Sequence, residues 1–195
     1  VVEGTALVAF GTDTGGSVRI PASMTGTVGL KTTLGKWSVQ GIVPLSLSFD
    51  TPGILTRTAD DAAFAFEHLG GDKVPDLAEG TSLRIGVAER FFWDGTDPGI
   101  AERVTEAMRL LEAAGASLTE QTLPGCAEVY EIYHQGGIVS AELYAFLRGH
   151  LPDWLDTLDP RVRQRMDDGR DLPAWTYLHR KSRYAALAAE AAAIL

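Results

Sequence analysis

The chain has 195 residues, 26 acidic against 17 basic side chains and a net charge of −9, with 45% apolar and 22% charged residues. These are globular proportions for about one domain with a sizeable core, and the acidic balance argues against a nucleic-acid surface, which needs clustered Lys and Arg. No apolar run approaches the roughly twenty residues of a membrane span, and the single Cys126 excludes an intrachain disulfide, so a reducing, cytoplasmic setting is expected.

In chain order, the first predicted strand is the short apolar run Ala6-Leu7-Val8-Ala9-Phe10, closed by Gly11. It leads into Gly11-Thr12-Asp13-Thr14-Gly15-Gly16-Ser17-Val18-Arg19-Ile20-Pro21, which places a hydroxyl at the end of a glycine turn on a strand end. Gly15 and Gly16 lack a Cβ and tolerate positive φ, so successive amides of Thr14, Gly15, Gly16 and Ser17 are expected to face one concavity beside the serine. Such donors stabilise the charge that develops on a carbonyl oxygen during acyl transfer. Ser17 is therefore the candidate nucleophile. Asp13 is expected to order the turn through local N–H bonds. Arg19 has two readings: a clamp for a substrate carboxylate, or, as the better one, a pin for the loop.

Further along, Thr58 and Asp61 form a capping box before Ala62, Phe66 and Leu69, with Gly70-Gly71 ending the helix. Residues 72–81 read as a surface connection. Leu83-Arg84-Ile85-Gly86-Val87 is a short strand, Asp97-Pro98 open a helix through Ile100, Val104, Met108 and Leu111 that closes near Gly115, and Ser117-Leu118-Thr119 is the next strand, a strand–helix–strand unit. Helix is expected from Tyr130 to Leu151, weakened at Gly136-Gly137, and again from Pro173 to Leu195. Arg161, Arg163, Arg165 and Arg170, interrupted by Asp167 and Asp168, read as a solvated helix face. His68, His134, His150 and His179 have no metal-ligand spacing, so no metal is expected. Trp93, Trp154 and Trp175 with Phe91 and Phe92 are read mainly as core.

The string from Gly11 to Pro21 resembles the amidase signature family at each position of its pattern. The likeness continues through Gly26-Thr27-Val28-Gly29-Leu30-Lys31-Thr32-Thr33, Pro44-Leu45-Ser46-Leu47-Ser48-Phe49-Asp50-Thr51-Pro52-Gly53 and Leu55-Thr56-Arg57-Thr58-Ala59-Asp60-Asp61-Ala62-Ala63. The resemblance implies an α/β fold, a mixed sheet flanked by helices, with residues 1–71 as the signature core and 72–195 as a variable α/β and helical region of the same domain. It also implies an amidase without cofactor: Ser17 attacks a carboxamide carbonyl, the amides around Thr14, Gly15, Gly16 and Ser17 receive the oxyanion, and ammonia or an amine leaves. The expected partner is a small-molecule amide, with no nucleic acid and no membrane; a homodimer stays open.

The family's proton acceptor is a second serine and a lysine upstream of the nucleophile, and this chain has neither. Lys31 matches a position treated as structural. The chain is thus expected to be the middle of a larger enzyme, inactive alone. Two alternatives stand beside the amidase. One is the A-type subunit of a glutamine-dependent amidotransferase, disfavoured by Thr51 where that protein often has glutamine. The other is a noncatalytic fragment or degenerate homologue whose turn merely binds an anion.

Overall fold

A three-stranded antiparallel sheet carries the glycine turn at the end of its first strand. The computed structural model describes residues 1–70, 72–75, 82–88, 90–134 and 137–194. They fall into two units, each discontinuous in sequence: Val1–Pro75 with Gly136–Tyr177, and Asp76–Gln135 with Leu178–Leu195.

In the first unit, β1 (Ala9–Asp13), β2 (Val28–Lys31) and β3 (Thr51–Thr56) pair in the order β1-β3-β2, with Gly11 opposite Gly53 and Asp13 opposite Thr51. β1 starts three residues later than the apolar run and continues through Gly11 to Asp13, because pairing to β3, not side-chain polarity, sets its extent. Helix α1 (Arg19–Thr25) follows Ser17 directly, holds Pro21 in its first turn, where the missing N–H costs nothing, and ends at Gly26 with φ 68°. It packs on β2, and α2 (Ala59–Gly70) packs on β2 and β3. One half of the capping box is present: the Asp61 amide donates to Thr58 Oγ1 at 3.1 Å. The expected stop at Gly70-Gly71 is met at Gly70, and Gly71 lies outside the described residues, as do 76–81 of the expected connection.

Val18 is the anchor of this unit, with 0% exposure. It plugs a hollow that three glycines on adjacent strands leave open. A Cβ on Gly11 would stand 3.1 Å from Val18 Cγ2, one on Gly53 would stand 3.2 Å from the same methyl and 2.6 Å from Leu30 O, and one on Gly29 would stand 2.9 Å from Val18 O and 2.6 Å from Ala22 Cβ. Ser17 is thus tied to the sheet by the residue that follows it.

The same unit contains α5 (Ile138–His150) and α6 (Pro160–Arg170), joined through a 3-10 turn at Pro152–Thr157. The two helices approach so closely at Gly169 that a Cβ there would lie 2.4 Å from Ala141 N. Arg163 pairs with Asp167 at 3.3 Å and Arg170 with Asp171 at 2.9 Å, so this arginine cluster is a salt-bridged face.

The second unit has β4 (Arg84–Ala88) parallel to β5 (Ser117–Gln121), joined by α3 (Pro98–Ala113), the expected strand–helix–strand unit. Asp97 caps α3 by accepting from the Gly99 amide at 2.8 Å. The single helix expected from Tyr130 to Leu151 is instead two, α4 (Cys126–His134) and α5; Gln135 and Gly136 between them lie outside the described residues. Helix α7 (Ala174–Ala192) closes the described chain, and Leu195 lies outside it. Phe92, Trp154 and Trp175 are 50%, 49% and 72% exposed, against the core reading.

Gly53→Ala is expected to destabilise the protein by about 1–3 kcal/mol, since neither Leu30 O nor Val18 has room to yield. Thermal denaturation followed by circular dichroism should show a midpoint lowered by several degrees; an unchanged midpoint would mean that the hollow under Val18 relaxes freely.

Candidate functional site

The turn after β1 is built around one buried carboxylate. Asp13 is 1% exposed and accepts from the amides of Gly16 at 2.8 Å, Val18 at 3.2 Å and Arg19 at 3.3 Å. The Arg19 guanidinium completes the set in a two-pronged pair, Nε to Oδ2 at 3.0 Å and Nη2 to Oδ1 at 2.9 Å. Asp13 thus gathers three amides of the turn and the Arg19 guanidinium on its two oxygens. Gly16 sits at φ 127°, a backbone conformation that suits glycine, and a Cβ there would collide with Ile20 Cδ1 at 2.5 Å.

The clamp leaves Ser17 exposed between buried Gly16 and buried Val18. Its hydroxyl has no hydrogen-bond partner among the described residues, and neither have the amides of Thr14, Gly15 and Ser17. The Gly16 amide is engaged by Asp13. Lys31 donates to Thr32 O at 2.6 Å, in keeping with a structural role.

Burial alone would push the Asp13 carboxyl up, but the Arg19 guanidinium and the backbone amides of Gly16, Val18 and Arg19 outweigh it and hold the group at about 2, against an ordinary 3.8. The turn is therefore clamped by an ionised carboxylate at neutral pH.

Behind the turn stand two further buried carboxylates to which the sequence alone assigned no role. Thr14 Oγ1 donates to Asp50 Oδ1 at 2.5 Å, and Asp50 Oδ2 accepts from the amides of Leu45 at 2.8 Å and Ser46 at 3.0 Å. Ser46 Oγ in turn donates to Glu142 Oε2 at 2.5 Å. Glu142, on α5, also accepts from the Ser48 amide at 2.9 Å, the Ser48 hydroxyl and Tyr177 Oη at 2.7 Å. Burial would raise the Glu142 carboxyl, yet the hydroxyls of Ser46, Ser48 and Tyr177 and the Ser48 amide bring it below the ordinary carboxylate value. Asp50 lies inside the family-like stretch and is legible there as a position, though not as a partner of Thr14. Glu142 has no such signal, being 96 residues from Ser46.

Among the described residues no group of three or more His, Cys, Asp and Glu could hold a metal ion, and no helix is long and apolar enough to cross a membrane. The turn thus carries an exposed Ser17, with the amides of Gly16, Val18 and Arg19 taken by Asp13 and those of Thr14, Gly15 and Ser17 without a partner among the described residues.

A family model described as Amidase matches residues 1–172. The chain is 48% identical over 186 residues to 2-amino-5-chloromuconic acid deaminase of Comamonas testosteroni, covering 93% of this chain and 40% of that protein. It is 38% identical over 177 residues to the A-type subunit of glutamyl-tRNA(Gln) amidotransferase from Salinibacter ruber, covering 80% and 34% respectively. Among solved structures, a crystal structure of an amidase superposes with a TM-score of 0.85 at 34% identity, covering 97% of this chain and 43% of that one. The chain thus spans well under half the length of these relatives.

Because the Asp13 carboxyl is lowered on folding from 3.8 to about 2, its contribution is complete above about pH 5 and is lost as pH falls through 3.8 towards 2. Urea unfolding should show stability falling by on the order of 2 kcal/mol more in the native protein than in Asp13→Asn across that interval. Equal slopes for the two would show that Asp13 is not held ionised by the turn.

Proposed function

The chain belongs to the amidase family, with its mixed α/β fold, and from that premise we propose that the full-length protein hydrolyses a carboxamide C–N bond through an acyl-enzyme on Ser17. The observation that carries this reading is an exposed Ser17 on a turn that Asp13 clamps through Gly16, Val18 and Arg19 while the amides of Thr14, Gly15 and Ser17 have no partner among the described residues. Ser17 Oγ attacks the carbonyl carbon, its proton passes to a base, and the carbonyl π electrons move to the oxygen. The three open amides donate to that oxygen, while the Gly16 amide, engaged by Asp13, keeps the turn in shape. Collapse of the tetrahedral species breaks the C–N bond, and the leaving nitrogen takes the proton. Water then attacks the ester and frees the acid and Ser17.

A serine hydroxyl is a weak nucleophile until a base takes its proton. Among the described residues none is hydrogen-bonded to Ser17, and the resemblance assigns the role to a second serine and a neutral lysine upstream of the position that Ser17 matches. Asp13 and Arg19 are committed to each other, so this reading uses them to hold the turn and not to move protons.

A second reading follows the relative at 48% identity, whose name states a deaminase of 2-amino-5-chloromuconic acid. Here too a C–N bond is cut, and the substrate would be an amino-substituted acid in place of a carboxamide. The amidotransferase reading rests on lower identity, 38%. Ammonia release from a panel of primary carboxamides and from 2-aminomuconic-type acids separates the two leading substrate classes.

In the full-length protein, Ser17→Ala is expected to lower kcat by about 10⁴-fold or more. The thermal midpoint should stay near that of the native protein, because the side chain removed is exposed. Turnover retained within tenfold would defeat Ser17 as the nucleophile.

A further inference from the structure

The nucleophile turn is held from two sides. Asp13 clamps it from within β1, and a second line of contacts reaches it from α5, far away in sequence. Along that line Glu142 binds the hydroxyls of Ser46 and Ser48 and the Ser48 amide, so it fixes the loop that leads into β3. The loop folds back on Asp50, which accepts from the amides of Leu45 and Ser46. Asp50 then takes the Thr14 hydroxyl at 2.5 Å. Thr14 is the first residue past β1 and the first amide in the turn beside Ser17.

Each link is dry. Asp50 is 7% exposed, Ser46 1% and Glu142 7%. Buried hydrogen bonds between charged and neutral groups have defined geometry and resist exchange with water. Helix α5 is itself set firmly, since it meets α6 at backbone distance over Gly169, and Tyr177 Oη holds the other side of the Glu142 carboxylate at 2.7 Å. Glu142 touches neither Ser17 nor the open amides in the contacts described, so it acts through the loop.

Building on the acyl-enzyme reading above, we propose that Glu142 is a positioning residue that holds Thr14 and its amide in place for the oxyanion, through Ser46 and Asp50. An amide that matters only when charge develops on the carbonyl oxygen acts on the transition state more than on the bound substrate. Loosening it should therefore lower kcat and leave KM nearly unchanged. Burial in a network of hydroxyls is by itself a structural role, and that role alone predicts lost stability without this division.

The test uses Glu142→Gln and Ser46→Ala in the full-length protein, with Ser46→Ala as the milder change that keeps the Ser46 amide on Asp50. Hydrogen–deuterium exchange is measured on peptides covering residues 12–20, with a peptide from α2 as control, and hydrolysis is followed on the best amide substrate. The expected result is faster exchange at 12–20 with α2 unchanged, together with a kcat lowered about tenfold or more and KM within about twofold. Combining Glu142→Gln with Thr14→Val should then cost less than the product of the two single losses, because both cut one path. Unchanged exchange at 12–20, or a kcat within about twofold of native in folded variants, would overturn the proposal, as would single losses that simply multiply. If Glu142→Gln does not fold, Ser46→Ala decides by the same readouts. If the native protein hydrolyses neither substrate class and Ser17→Ala changes nothing, the acyl-enzyme reading fails separately, and the exchange data alone then decide whether Glu142 holds the turn.

Discussion

The structure of the turn from Asp13 to Arg19 depends on one buried carboxylate that is kept charged. Asp13 closes β1 and gathers the amides of Gly16, Val18 and Arg19 and the Arg19 guanidinium onto its two oxygens. Taking a lone carboxylate out of water is costly, and this one is tolerated because donors of the turn itself replace the water. The consequence is a backbone with little freedom: Gly16 must take φ 127°, Val18 must point down and Ser17 must point out. Val18 locks the arrangement by entering the hollow under Gly11, Gly29 and Gly53. Charge pulls the turn from within, and close packing holds its exit.

Much of this was legible in the sequence because the partners are neighbours along the chain. Asp13 lies three to six residues from the groups it binds, so the string from Gly11 to Pro21 contains both clamp and clamped. The capped helices α2 and α3 were legible for the same reason, since Thr58 and Asp97 act on amides two or three residues away. What local pattern could not reveal was set by pairing. β2 and β3 are short and carry glycine and proline, and they are strands because β3 pairs with both neighbours in register. The start of β1 moved to Ala9 for that reason. Gly16 and Pro21 mask helix α1 in the sequence, and the apolar pattern from Tyr130 to Leu151 reads as one helix where α4 and α5 are separate. Glu142 is the extreme case, a single acidic residue on an ordinary helix whose meaning lies 96 residues away at Ser46.

The three carboxylates have separate tasks. Asp13 shapes the turn, Asp50 holds its first residue, and Glu142 holds the loop that bears Asp50. None of them is hydrogen-bonded to Ser17 among the described contacts. This region is thus a scaffold of buried acids arranged to expose one hydroxyl. Relatives whose names state a deaminase and a glutamyl-tRNA(Gln) amidotransferase match this chain over 93% and 80% of its length.

The most direct measurement is to trap the covalent intermediate. The full-length protein would be quenched in acid during turnover of a slowly hydrolysed amide, digested, and its peptides weighed. The account predicts the mass of the acyl group on the peptide that contains Ser17, appearing during turnover and vanishing when substrate is exhausted. An acyl group on another residue, or hydrolysis at full rate with Ser17 never modified, would contradict it.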